Sequence, residues 1–387
     1  MTTELAALAD NAAEEILADI IELVKVESHS YDLPGLAEGL TVLRDITVRR
    51  LGAPDHTETH PGGEHGDIVT HTFTGQGPGH VALIGHYDTV WPKGTLAGWP
   101  VTESVDDHGR RTLTGPGIFD MKTGVVQGIW ALKLLRDSGA QMPTVTFLFN
   151  GDEEIGSLSS RPIIEKVAAE VDASLVLEAS VDGAVKTGRK GTGIFVATAT
   201  GIESHAGLAP EKGASAIHAM AEFITAAAAI ADPAKGTTIN VGLVSGGSGT
   251  NVVAGSATAK IDIRVLTVEE QNRVDAEFSA ITVSDPRAHV EVRHDWNRPP
   301  MTLTEASAPL LDIARAVSAE LGTQLGNVTV GGASDANFVA ALGRPVLCGL
   351  GAVGGGAHAR TEFIYPDTVP HQTALLAGIL HKLSLRP

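Results

Sequence analysis

Three short apolar runs that break off into acidic or imidazole side chains constrain this chain more than any other feature. They are VALIGHYD over 81–88, TVTFLFNGDEE over 144–154 and SLVLEAS over 174–180. Runs of this length, bounded by polar residues, read as strands buried on both faces. Between them DMKTGVVQGIWALKLLRDSG (120–139) and SLSSRPIIEKVAAEV (157–171) carry helical spacing. Strand alternating with helix predicts an α/β fold with a mainly parallel, doubly wound sheet. Ligands of such sheets collect at the carboxyl ends of the strands. His86, Asp88, Glu153, Glu154 and Glu178 all fall there, and Asp120 opens the helical stretch after GPGIF.

The pattern changes from about Lys190. GIFVATATG, TTINVGLV, ATAKIDIRVL and HVEVRHD alternate like strands with one solvated face, and helices are expected over Ala214–Ala231 and Val268–Ile281. The turn-rich NRPPM (297–301) closes this segment. Helices expected over Glu305–Leu321 and from Ser334, together with NVTV and RPVLCGLG, then resume the α/β alternation. A chain of 387 residues also exceeds one ordinary core. The expected organisation is a discontinuous first domain, 1–189 and 299–387, with an inserted α+β domain at 190–298.

Charge and cysteine content narrow the chemistry. With 28 basic against 46 acidic residues and a net charge of -18, a phosphate backbone is repelled, so nucleic acid is not an expected partner. Cys348 is the single cysteine, which leaves histidine and carboxylates to hold any metal and fits a reducing compartment. The opening MTTELAALADNAAEEILADIIELVKV reads as one amphipathic helix rather than a basic leader with an apolar run. No stretch approaches the ~20 apolar residues that span a bilayer, and a cytoplasmic protein without membrane partners is expected. There is no G-x-S-x-G elbow, no G-x-G-x-x-G at a strand-helix junction and no P-loop lysine motif.

Taken singly, the polar residues have ordinary readings. His86 and Asp88 could be a capped strand end, Glu153 and Glu154 a solvated turn, and Asp120 a helix N-cap. His205 reads as a turn histidine, and Arg264 as a strand-face residue paired with Asp262. His56, His60, His65, His71 and His80 read as loop and edge-strand residues, since no carboxylate pattern follows them. Joint placement at successive strand ends, with His358 in the glycine-rich GGGAHARTE, points instead to one shared site.

The ordered set GHYDTV, GPGIFDMKTG, NGDEEIGS, LVLEAS, SHAG, GGASDAN and GAHARTE resembles the two-zinc exopeptidase and deacylase family. That family includes glutamate carboxypeptidase, acetylornithine deacetylase, succinyl-diaminopimelate desuccinylase and aminoacylase. G-P-G-I-x-D and N-x-D-E-E-x-G-S are most similar to its carboxypeptidase G branch. The resemblance implies two Zn2+ per subunit, with Mn2+ or Co2+ as substitutes. It implies Asp120 bridging the two ions, His86 and Glu178 on one, and Glu154 and His358 on the other. Glu153 falls on the general base and Asp88 on the residue supporting His86. His205 falls on a position that reaches across a homodimer, and Asn251 and Arg264 on positions that bind the substrate carboxylate. Glutamate rather than aspartate at 178 counts against an aminopeptidase. A cis peptide is expected after Asp120.

Such a site makes chemical sense. Two cations sharing a carboxylate lower the pKa of a bridging water towards neutrality, and Glu153, unable to ligate if Glu154 does, can accept that water's proton. The expectation is a homodimeric zinc carboxypeptidase releasing a C-terminal amino acid, with glutamate as the candidate. The rivals are an N-acyl-amino-acid deacylase and a silent carboxylate-binding relative.

Overall fold

The computed structural model describes residues 1–385, which form two compact units. The first comprises Met1–Thr187, Leu303–Thr329 and Ser334–Pro387; the second comprises Gly188–Thr302 and Val330–Ala333. The expected insertion, 190–298, lies inside the main segment of the second unit. Residues 330–333 leave the first unit, where the sequence reading had put them. The Arg189 guanidinium donates to the carbonyls of Gly332 and Ala333, both at 3.0 Å, and Lys190 N donates to Val330 O.

The first unit is built on an eight-stranded sheet in the order His56–His60, Gly66–Phe73, Thr144–Gly151, His80–His86, Ala173–Val176, Val346–Cys348, Val185–Arg189, Asn327–Val330. His80–His86 runs parallel to both of its neighbours, and Val346–Cys348 runs parallel to Ala173–Val176. Antiparallel pairings extend the sheet on either side of this parallel centre. The pattern follows burial: the central strands are almost continuously buried, as covering both faces with helices requires.

Helix Thr123–Ser138 is the axis of the main core. Val125, Val126, Ile129, Trp130, Leu132 and Leu135 on it are all buried, and it ends at Gly139 in the left-handed conformation. Its first turn needs a glycine, because a Cβ on Gly124 would sit 1.9 Å from the carbonyl oxygen of Leu177. The helix can therefore approach the strand that leads into Glu178. Helices Ala13–Val24, Leu33–Leu51 and Val369–Leu383 pack against it, while Arg161–Glu170 and Ala336–Ala341 pack on each other. The expected single N-terminal helix is two, Thr2–Asn11 and Ala13–Val24, interrupted at Ala12 where ψ is 3°. The break lets the first piece lie against Val369–Leu383 and Ala308–Glu320 while the second meets Leu33–Leu51.

A buried carboxylate ties three of these helices together. Asp19, 2% exposed, accepts from Arg50 Nε at 2.7 Å, Arg49 Nη2 at 2.9 Å and Trp130 Nε1 at 2.8 Å. Burial alone would raise its pKa; the hydrogen bonds from Arg50, Trp130 and Arg49 outweigh that and hold it below the usual carboxylate range.

The second unit is an antiparallel sheet in the order Thr238–Gly246, Ser256–Val265, Gly191–Thr200, His289–Arg293, with Trp296–Arg298 also pairing with Gly191–Thr200. Ser256–Val265 alternates exposed and buried residues, as a sheet covered on one face should. Phe195, Ile261 and Ile263 pack there against Met220 and Phe223 of helix Ala216–Ala229 and Phe278 of helix Val268–Ala280. Thr238–Gly246 is an edge strand whose Leu243 and Val244 are exposed. No helix among the described residues is long and apolar enough to cross a membrane.

Candidate active site

Four elements of the first unit bring their polar ends together. His86 closes strand His80–His86 and is 1% exposed. Its Nδ1 faces Asp88, 3.1 Å from the backbone carbonyl and 3.4 Å from Oδ1. A proton on Nδ1 leaves the lone pair of Nε2 directed into the site. That buried nitrogen has no hydrogen-bond partner, and it lies 3.3 Å from Asp120 Oδ1 and 3.8 Å from Glu178 Oε1. An orphaned imidazole lone pair facing two carboxylates is a suitable arrangement for a divalent cation.

Asp120 does not open a helix. It sits in a kinked turn, Ile118–Lys122, with φ -119° and ψ 97°, and regular helix starts only at Thr123. The Asp120–Met121 peptide is cis, as expected from the resemblance. The second oxygen, Oδ2, is 3.3 Å from His358 Nε2, and Glu154 Oε2 is 3.0 Å from the same nitrogen. Two sets, His86 with Asp120 and Glu178, and Asp120 with Glu154 and His358, have donor atoms within 4.8 Å of one another, and Asp120 belongs to both.

The electrostatics of the cluster express a demand for positive charge. Hydrogen bonds to Asp120 and Glu154 push the His358 pKa up to about 11. Burial and the neighbouring Asp120 charge push Glu154 up to about 7. Burial would raise Asp120 as well, but the neighbouring His358 and His86 imidazoles hold it far below the usual carboxylate range. The donor set, two imidazoles and three carboxylates, is of the kind that holds divalent cations.

Asp88 organises two elements at once. Its Oδ1 and Oδ2 accept from the backbone N–H groups of Glu153 and Glu154, each at 3.2 Å, and Oδ2 also accepts from Ser30 Oγ at 2.7 Å. The turn Glu153–Ile155 is thereby fixed relative to His86. Behind it, Asp335 accepts from Ser157 Oγ and Asn150 Nδ2, and Asp152 Oδ2 from Ser159 N and Ser160 N.

The remaining candidates lie in the second unit. His205 is exposed, and its Nδ1 accepts from the N–H groups of Gly207 and Leu208, both at 3.1 Å, so the neutral ring carries its proton on Nε2. Asn251 is next to it, its carbonyl accepting from Ala206 N at 2.9 Å. Arg264 donates from Nε and Nη2 to Asp262 and from Nη1 to Thr192 Oγ1, the strand-face pairing that its sequence context allowed. Of the histidines that precede the first motif, His65, His71 and His80 bond to Ser159, Thr57 and Thr146, while His56 and His60 flank Glu58.

Sequence reasoning assigned no role to Glu362 or Lys186. Glu362 is fully buried beside the Asp120 turn, and its only signal was its place four residues after His358 in GAHARTE. Lys186 puts Nζ 3.8 Å from Glu178 Oε2, a proximity that no motif announced.

Comparison with known proteins agrees with this geometry. The profile of peptidase family M20/M25/M40 matches residues 82–382. Carboxypeptidase G2 of Pseudomonas sp. (strain RS-16) is 31% identical over 375 residues, covering 95% of this chain and 89% of that protein. Succinyl-diaminopimelate desuccinylase of Dechloromonas aromatica (strain RCB) is 30% identical over 317 residues, covering 78% of this chain and 82% of that protein. Among solved structures, the M20 family metallo-carboxypeptidase Sso-CP2 of Sulfolobus solfataricus shares the fold with a TM-score of 0.75 at 18% identity, over 96% of this chain and 100% of that one.

Proposed function

This chain belongs to peptidase family M20/M25/M40 and is a metallohydrolase of that family, and from that premise we propose a two-zinc carboxypeptidase that releases a C-terminal amino acid, with glutamate as the candidate, in the cytoplasm. The carrying observation is the pair of ligand sets that share Asp120, the groups of imidazoles and carboxylates among the described residues that could hold a metal ion. His86, Asp120 and Glu178 would hold one Zn2+, and Asp120, Glu154 and His358 the other, with Mn2+ or Co2+ as substitutes. When bound, such a pair activates a water and polarises the scissile carbonyl.

The protein's own groups do the rest. Glu154 faces His358, whereas Glu153 belongs to neither ligand set and stands next to Glu154 in the chain, which supports its reading as the group for proton transfer. Glu153 takes the water's proton and returns it to the departing nitrogen, which cannot leave as an amide anion. The Asp88 bonds to the Glu153 and Glu154 amides keep the base and its neighbouring ligand in fixed relation to His86. Asn251 and Arg264 would bind the substrate carboxylate, the guanidinium being suited to it by charge and planar geometry. His205, its proton directed to Nε2, would donate to the oxygen of the tetrahedral intermediate.

A homodimer completes this reading. Thr238–Gly246 offers the unpaired side of an edge strand together with exposed Leu243 and Val244, a surface that natural sheets cover or pair.

The 30% identity to a desuccinylase supports a second reading, an N-acyl-amino-acid deacylase with the same cations and base. Purified enzyme on matched folyl-glutamate, dipeptide and N-acyl-amino-acid panels separates the two. The mechanism is tested with Glu153→Ala, which should bind both zinc ions yet lose about 10²–10⁴-fold in kcat, the usual worth of a positioned base. Unchanged turnover would remove Glu153 from its role.

A further inference from the structure

We propose that Glu362 is a positioning residue that holds the Asp120 carboxylate in register with His358. This inference rests on the two-cation reading above. Glu362 is fully buried, yet among the described residues no arginine or lysine side chain forms an ion pair with its carboxylate. It accepts instead from Gly117 N at 3.1 Å, Phe119 N at 2.9 Å, Asp120 N at 3.1 Å and Trp91 Nε1 at 2.9 Å. Three of the four donors are backbone amides of the turn that delivers Asp120. That turn is not helical, so its own carbonyls do not satisfy those amides, and an internal carboxylate does so in their place.

The acceptor comes from the loop that carries the other ligand. Strands Gly354–Gly355 and Phe363–Ile364 form a hairpin with His358 at its tip, and Phe363–Ile364 pairs in turn with Arg111–Thr114, the strand that feeds the Asp120 turn. His358 has a φ of 60°, a left-handed conformation that a non-glycine residue keeps only where its surroundings impose it. A Cβ on Gly356 would lie 2.5 Å from Thr361 O, so the loop folds back tightly on the residue before Glu362. Strand pairing fixes the base of this assembly, and Glu362 fixes its far end, where Asp120 faces both His86 and His358.

The test uses the metal-stripped full-length chain with zinc as the sole titrant. Wild type, Glu362→Gln, Glu362→Ala and Trp91→Phe are compared by calorimetric zinc titration, by hydrogen exchange of the peptide containing 117–120, and by thermal melting. Gln keeps one acceptor oxygen but turns an NH2 towards backbone donors, so it tests the role even if Ala does not fold. Glu362→Gln, and Glu362→Ala where it folds, should bind zinc about 10–100-fold more weakly, the range typical of residues that orient ligands. Exchange over 117–120 should also quicken before any metal is added. Trp91→Phe, which leaves the three backbone donors in place, should bind zinc like wild type. Wild-type affinity or unaltered exchange in a folded Glu362→Gln overturns the proposal, as does an equal loss in Trp91→Phe. A wild-type protein that takes up no pair of zinc ions would instead overturn the two-cation reading, whatever the exchange data show.

Discussion

At the scale of single residues, carboxylates in this chain are set apart by what faces them. Asp88 accepts backbone amides and a serine hydroxyl, Asp120 and Glu154 face imidazoles, and Glu362 accepts amides and an indole. Glu270 in the second unit is a structural counterpart. Its side chain accepts from Arg273 Nη2 at 2.7 Å and Thr237 Oγ1 at 2.6 Å, with Lys235 Nζ at 3.4 Å. Hydrogen bonding by Arg273 is the main cause that lowers its pKa to about 2. A folded pKa below the unfolded value of about 4.3 means that the stabilisation is complete above that pH and disappears as pH falls towards the folded value. Glu270→Gln should therefore destabilise helix Val268–Ala280 by about 1.5–3 kcal/mol at neutral pH, the worth of a charged hydrogen bond. The difference from wild type should shrink between roughly pH 4.3 and 2, read by hydrogen exchange across that helix. A gap independent of pH would show that packing, not charge, is responsible.

Elements carry the next level of specification. Helices Ala13–Val24, Leu33–Leu51 and Thr123–Ser138 meet at Asp19, where Arg49, Arg50 and the Trp130 indole all converge. Asp19→Ala leaves Arg50 Nε and the indole N–H without their acceptor while Arg50 Nη1 keeps Glu15, at a cost of about 1–3 kcal/mol. Chemical denaturation should register this as a lower midpoint, and a loss under about 1 kcal/mol would class the cluster with ordinary surface ion pairs. What the sequence disclosed at this level follows from periodicity. The apolar runs ending at His86 and Glu154 and before Glu178 were visible because central strands are buried on both faces. The break at Ala12 was not, because the apolar spacing continues through it and only packing on other helices separates the pieces. Glu362 and Lys186 were equally silent, since their importance lies in contacts with residues far away in sequence. Arg264 was legible in both of its readings, and the structure places it on Asp262 and Thr192.

For the whole molecule, assembly and order of folding are the questions the architecture raises. If two copies pair along Thr238–Gly246, a charge placed there should separate them. Val244→Asp, at a residue 63% exposed, should move sedimentation from dimer to monomer while circular dichroism stays unchanged. A wild-type protein that already sediments as a monomer rules the pairing out. The sheet order has a different consequence, for a chain emerging from the ribosome. Val346–Cys348 lies between Ala173–Val176 and Val185–Arg189, so two strands made early must wait for one made late before their side-by-side places are filled. The 188–302 stretch is continuous and supplies every strand of its own sheet, so it can mature while translation proceeds. His358 is later still, so the second of the two proposed ligand sets stays incomplete until synthesis has passed that codon.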